Sequence, residues 1–146
     1  MFQKQDFPNM FKSKNILLFL LLIKLSSTFG QSKIYIKNYF DNGQIESEGW
    51  LQENQKTDYW FYYYTNGNKK EEGHYVTNKK TKWWIVYGEN EVINKKCQFY
   101  DDKLDGICVI YHNGNVVRAE QYKKNIKIKQ WSSLSAFKKD NILTSI

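Results

Sequence analysis

Trp60-Phe61-Tyr62-Tyr63-Tyr64-Thr65-Asn66-Gly67 decides the fold: an aromatic run entering Asn-Gly is the sequence signal of a strand entering a β-hairpin. The same layout recurs at Ile36 to Gly43, Trp84 to Glu91 and Cys108 to Gly114. Trp60 to Trp84, Tyr39 to Tyr63, Tyr63 to Tyr87 and Tyr87 to Tyr111 are each 24 residues apart, as are Gly43 and Gly67. Self-similarity at a fixed period marks a repeat protein. Four units result, approximately 36–59, 60–83, 84–107 and 108–131, the fourth one residue short because its turn reads Tyr-His-Asn-Gly.

Each unit reads as an aromatic strand leading to Asn-Gly, then a more polar strand leading to a second turn, around Glu53-Asn54, Thr77-Asn78, Asp101-Asp102 and Lys124-Asn125. Strands are expected at roughly 33–40, 45–52, 58–65, 69–76, 82–88, 92–100, 106–112 and 115–123. The expected fold is all-β, a single-layer antiparallel β-meander of about eight strands. The third unit lacks its glycine at Asn90-Glu91, so that turn should be strained or of another type. With its only proline at Pro8, and 20 aromatics among the 116 residues from Gln31 onward, the chain suits sheet throughout.

Upstream, Lys12 and Lys14 precede the apolar run Ile16 to Ile23, with small residues at Thr28 and Gly30. This pattern predicts a signal-peptide helix over 1–30 with cleavage near Gly30, and hence an exported protein, periplasmic or secreted. Met10 is a candidate initiator, and an uncleaved anchor or a misread amphipathic start is the competing reading. Four of the 22 Lys and Arg residues and one of the 15 acids fall in this segment, leaving 18 against 14 and a net charge of +4 from Gln31 onward. That excess reads as a solvated surface, compatible with an acidic partner or an anionic membrane surface, and export argues against nucleic acid. The repeat domain spans 31–131, and 132–146 forms a tail. Leu134, Phe137 and Ile142 would let that tail cover the last strand as a short helix; a tail without fixed structure is the alternative.

The layout resembles the MORN repeat family, in the variant found in YwqK-type antitoxins of toxin-antitoxin systems. The resemblance rests on Gly106-Ile107-Cys108-Val109-Ile110-Tyr111 with Asn113-Gly114, on Trp60 to Tyr63 with Asn66-Gly67, on Trp84 to Tyr87, and on Glu72-Gly73-His74-Tyr75. It covers about residues 34–131. The family's Asp-Gly before the Trp is kept as Asp105-Gly106 and replaced by Thr57-Asp58 and Thr81-Lys82. The resemblance implies protein binding, with toxin neutralisation as its finer form.

Pairing residues symmetrically about each turn chains one row across the sheet: Ile36, Gly49, Trp60, Gly73, Trp84, Cys97, Cys108, Ala119. A Trp ring laid over a neighbouring glycine shields its bare backbone. Where a third Gly opposite Trp is due, Cys97 faces Cys108. In an exported chain this reads as a cross-strand disulfide, against the alternative of two reduced small hydrophobes. The other face carries Tyr39, Glu46, Tyr63, Lys70, Tyr87, Asn94, Tyr111 and Val116, and beside them Tyr35, Trp50, Tyr59, His74, Trp83, Gln98 and Ile107. Aromatics on both faces fit one twisted sheet with one surface left partly exposed, and exposed aromatics are candidate contact sites.

No catalytic constellation stands out. His74 and His112 fall on opposite faces without a matched nucleophile. Asp101 to Gly106 lacks the alternating oxygens and distal Glu of a calcium loop. Glu46, Glu48, Glu71 and Glu72 read as solvated cross-strand charges. The expectation is a non-enzymatic interaction module without cofactor, metal or small-molecule substrate, presenting Trp50, Tyr59, His74 and Trp83 to a protein. An envelope-associated binder of lipid headgroups or glycans is the alternative.

Overall fold

The computed structural model describes residues 32–142; the expected signal segment lies outside them, as does Met10. Nine strands follow one another in sequence and in space: β1 (Ile34–Tyr39), β2 (Ile45–Gln52), β3 (Gln55–Tyr63), β4 (Lys69–Val76), β5 (Lys79–Tyr87), β6 (Ile93–Tyr100), β7 (Lys103–His112), β8 (Asn115–Lys123) and β9 (Ile126–Trp131). A helix, α1 (Leu134–Ile142), closes the described chain. All neighbouring pairs are antiparallel, making an open all-β meander. The expected all-β antiparallel meander is thus found, with a ninth strand beyond the eight placed from sequence. Its Ile-Lys-Ile-Lys alternation is a plain period-2 pattern lying beyond the last Asn-Gly unit.

Two turn types alternate. At the first kind, Phe40 N–H bonds Gln44 O at 2.8 Å and Gly43 N–H bonds Phe40 O at 2.9 Å, enclosing Asp41, Asn42 and Gly43, with Gly43 left-handed at φ 83°. This is a three-residue loop with its glycine last, so Asn-Gly is not the centre of a two-residue turn as expected. The pattern repeats at Tyr64 to Asn68 and at Gly88 to Val92, where Glu91 takes the glycine's place at φ 61°. The third turn is therefore of the same type and strained. Only the fourth, with Asn113 at φ 47° and Gly114 at φ 78°, is a two-residue turn, which is why that unit is one residue short. The second turns all have two residues of positive φ: Glu53-Asn54, Thr77-Asn78, Asp101-Asp102 and Lys124-Asn125. Such tight turns start β3, β5 and β7 three residues earlier than the 58, 82 and 106 expected.

Each longer hairpin then absorbs extra residues as bulges. Tyr39 pairs with Ile45 and Asn38 with Ser47, so Glu46 is left over; Lys70 and Asn94 are skipped in the same way. The expected row through Glu46, Lys70 and Asn94 is thus corrected to Ile45, Lys69 and Ile93. In β7–β8 the bulge skips Val117 and leaves Tyr111 opposite Val116 but moves Cys108 opposite Glu120, with Ala119 facing Val109. Ala119 therefore leaves the expected row. On the other side of each unit, Asp58 (φ 57°), Lys82 (φ 60°) and Gly106 (φ 117°) sit in bulges spaced 24 residues apart. That backbone requirement explains a glycine at this repeat position and makes Asp58 and Lys82 strained substitutes for it.

From Ile36 to Cys108 the expected row holds pair by pair. Trp60 and Trp84 are 0% and 1% exposed although they lie on a single sheet, because each ring lies on a glycine and is walled by neighbours. A Cβ on Gly49 would come within 2.4 Å of the Trp60 ring, and one on Gly73 within 2.4 Å of the Trp84 ring. Tyr75 meets both indoles edge-on, with centroids 6.1 and 5.0 Å away. Trp60 Nε1 donates to Trp50 O at 3.0 Å and Trp84 Nε1 to His74 O at 3.1 Å, so neither buried N–H is left unmade. The row continues into the Cys97–Cys108 disulfide, Cα atoms 4.0 Å apart.

A second set of bonds ties turn to turn. Asn78 N–H donates to Lys56 O while Asn78 Oδ1 accepts from Lys56 N–H; Asp102 does the same with Lys80, and Asn125 with Leu104. At the C-terminal end, Ser133 Oγ caps α1 by accepting from Ala136 N–H at 3.1 Å. Phe137 packs edge-on against Trp131 at 5.1 Å, and Trp131 Nε1 donates to Asp140 at 2.7 Å. The tail is thus a helix over the last strands. Leu134, by contrast, stays largely exposed.

Candidate functional site

Strand alternation divides the sheet into a tryptophan face, carrying the row just described, and a carboxylate face. On the latter, Glu48 and Glu72 occupy equivalent repeat positions. Tyr63 hydroxyl donates to Glu48 at 2.7 Å and Tyr87 hydroxyl to Glu72, and Lys69 donates to Glu72 at 2.9 Å. Glu72 is only 7% exposed, so these carboxylates are not the solvated charges expected from sequence. Burial pushes the Glu48 carboxyl up, but hydrogen bonds from Tyr63 and Lys37 outweigh it and leave the pKa below its ordinary value. Burial, then the bond to the carboxylate, raises the Tyr63 and Tyr87 hydroxyl pKa values. The four repeat tyrosines are not equivalent: Tyr39 is exposed, and Tyr111 has the Lys96 ammonium 6.0 Å from its ring instead of a carboxylate.

Beside this ladder lie the four residues singled out by sequence. Tyr59 and His74 are directly paired and meet edge to face at 4.8 Å. Burial first, then the Lys82 ammonium, holds His74 below its ordinary pKa, which favours the neutral imidazole. Trp50 pairs with Tyr35, edge-on at 5.1 Å, and Trp83 pairs with Gln98. The expected continuous row through all of them is corrected: Trp50 faces Thr57 across β2–β3, and His74 faces Thr81 across β4–β5. The bulges at Asp58 and Lys82 intervene. The result is two separate aromatic pairs and a Trp83–Gln98 pair, in which Tyr35, Trp50 and Trp83 expose 42%, 39% and 41% of their surface. Val109, Ala119 and Trp131 share this face at the other end, where α1 covers Trp131.

The tryptophan face holds two residues that sequence reasoning passed over. Lys56 Nζ lies 4.6 Å from the Trp60 ring centroid and 5.4 Å from that of Tyr75; Lys80 Nζ lies 3.8 Å from Trp84 and 5.8 Å from Phe99. Their 24-residue spacing was the available signal. Among the described residues no group of three or more His, Cys, Asp or Glu side chains is placed to hold a metal ion. No helix among them is long and apolar enough to cross a membrane.

The fold defines a class, the open antiparallel repeat meander stapled by one cross-strand disulfide. No protein-family model matches the chain, and no curated protein is similar to it.

Proposed function

We propose that this chain is an exported, non-enzymatic repeat module of the MORN type that binds a protein partner on its carboxylate face. Antitoxin- or immunity-like neutralisation is the finer form of that reading. The observation that carries it is the pair of ring contacts Tyr35–Trp50 and Tyr59–His74, with Trp83 on the same face opposite Gln98: large side chains that remain partly open to solvent. Rigid, half-exposed Trp and Tyr supply contact area at low entropic cost, and such residues dominate binding hot spots. The Cys97–Cys108 disulfide is in keeping with an oxidising, exported compartment.

The test is capture of a partner from envelope extract by the tagged chain, compared with Trp50→Ala and Trp83→Ala. A captured protein lost in both variants, with unchanged melting temperature, supports the reading; capture indifferent to both removes this surface. Co-sedimentation with cell wall or liposomes in place of protein capture would move the assignment to glycan or lipid binding.

A further inference from the structure

Lys56 and Lys80 occupy the same position in successive repeats, and each is clamped between an indole of its own strand and a ring of the next strand. They differ in counter-charge. Lys80 donates to both carboxylate oxygens of Glu71 at 2.9 Å. The residue equivalent to Glu71 one repeat earlier is Ser47, which is buried and accepts from Asn38 Nδ2 at 2.9 Å. Lys56 is left with a phenol: it donates to Tyr62 hydroxyl at 2.7 Å, which is in turn 3.0 Å from Tyr75 hydroxyl. A half-buried ammonium whose repeat-mate is neutralised by a carboxylate, and which itself holds only a neutral acceptor, is electrostatically incomplete.

We infer that Lys56, with Tyr62 hydroxyl beside it, is the receptor for a carboxylate side chain of an acidic protein segment that docks on the tryptophan face. The ligand supplies what Ser47 withholds. Charge complementarity selects the occupant: the chain is basic overall, and where Lys80 is matched by Glu71, Lys56 donates only to a neutral hydroxyl. The acids facing Lys56 are Glu71, committed to Lys80, and exposed Glu46 on its bulge; Lys80 is the neighbouring cation. A hollow of about 100 Å³ lined by Phe40, Glu46, Tyr62, Tyr63, Lys70 and Glu71 adjoins the site through Tyr62, and Lys70 adds a second positive charge toward an incoming carboxylate. Burial and the Lys80 charge both press the Lys56 pKa down, a penalty that an incoming carboxylate relieves. The inference rests on the protein-binding reading above but uses the opposite face.

The probe is fluorescein-labelled hexaglutamate, titrated by anisotropy into the full chain, with hexaglutamine as control. Hexaglutamate should bind, weakening with salt, while hexaglutamine does not. Lys56→Gln should lose about tenfold or more in affinity, the scale of one charge-assisted bond, whereas Lys123→Gln, an equal charge change at an exposed ion pair, should not. Ser47→Glu, which restores the missing carboxylate from within, should compete the probe away; thermal melts verify that each variant is folded. Equal losses in the Lys56 and Lys123 variants, or no binding by the wild-type chain, would overturn the inference. So would sedimentation with phosphatidylglycerol vesicles that is Lys56-dependent while hexaglutamate is ignored. A partner captured from extract through Trp50 and Trp83 but untouched by Lys56→Gln would leave the protein-binding reading standing and remove this site alone.

Discussion

Replacing Gly73 by alanine tests the central packing argument with one methyl group. The new Cβ would sit 2.4, 2.5 and 2.6 Å from Cδ2, Cε2 and Cγ of Trp84. To regain ordinary contact the indole must retreat by about 1 Å, and overpacking of this kind costs roughly 1–3 kcal/mol. Retreat also pulls Trp84 Nε1 from His74 O, a bond worth about 1 kcal/mol. Trp84 is 1% exposed and wedged by Tyr75 and Phe99, so it has no free space to move into. The total, about 2–4 kcal/mol, corresponds to a fall in melting temperature of about 10–20 °C for a domain of this size. Thermal and urea melts followed by tryptophan fluorescence, disulfide intact, measure it. Gly43→Ala is the control: nothing lies within 4 Å of its Cβ position, so its cost comes from φ 83° alone and should stay near 1 kcal/mol. Adding Trp84→Leu to Gly73→Ala should show a coupling energy of at least about 0.5 kcal/mol, because the smaller side chain removes the clash. A Gly73→Ala protein melting within 2 °C of wild type, roughly the resolution of such a comparison, would refute the account of glycine as a seat for the indole.

Further outcomes follow from the same geometry. Reducing the Cys97–Cys108 bond, or replacing both residues by serine, should lower stability by about 3 kcal/mol through the loop it closes, read from melts with and without reductant. Glu91→Gly should raise stability by about 0.5–1 kcal/mol by relieving the left-handed backbone at φ 61°, a gain visible as a higher urea midpoint. Glu48 and Glu120 both have folded pKa values below the ordinary 4.5: burial raises them, but Tyr63 and Lys37 at the one, Tyr122 and Lys127 at the other, more than reverse this. Their contribution is present above pH 4.5 and lost as pH falls through the folded values. Melting temperature against pH should therefore drop less steeply on the acid side for Glu48→Gln and Glu120→Gln than for wild type.

Much of this was legible from side chains alone. The alternation of Trp60 and Trp84 with Gly49 and Gly73, and the opposition of Cys97 and Cys108, follow from strand period and turn position, and both are found as read. Backbone excursions were not legible. Nothing in the side chains of Glu46, Lys70, Asn94 or Val117 announces a bulge, and their absorption moved Ala119 out of its row. Asp58 and Lys82 adopt a glycine's conformation without being glycine, which hid the breaks between Trp50 and Tyr59 and between His74 and Trp83. The buried Glu72 was misread because a carboxylate's solvation depends on whether a tyrosine from the next repeat reaches it. Lys56 was missed for a related reason: what distinguishes it from Lys80 is the identity of the residue at Ser47, on another strand.

The strict neighbour-to-neighbour order of the nine strands has a mechanical consequence. The first and last strands are opposite edges of one ladder, so a force applied between them loads the inter-strand bonds in series across the sheet and opens it one strand at a time, as a zipper opens. Each step would release one or two strands of slack, Trp60 and Trp84 being exposed in turn. The Cys97–Cys108 crosslink would withhold the chain between β6 and β7 from the extended length. A sheet built this way yields gradually under tension, with a single covalent stop.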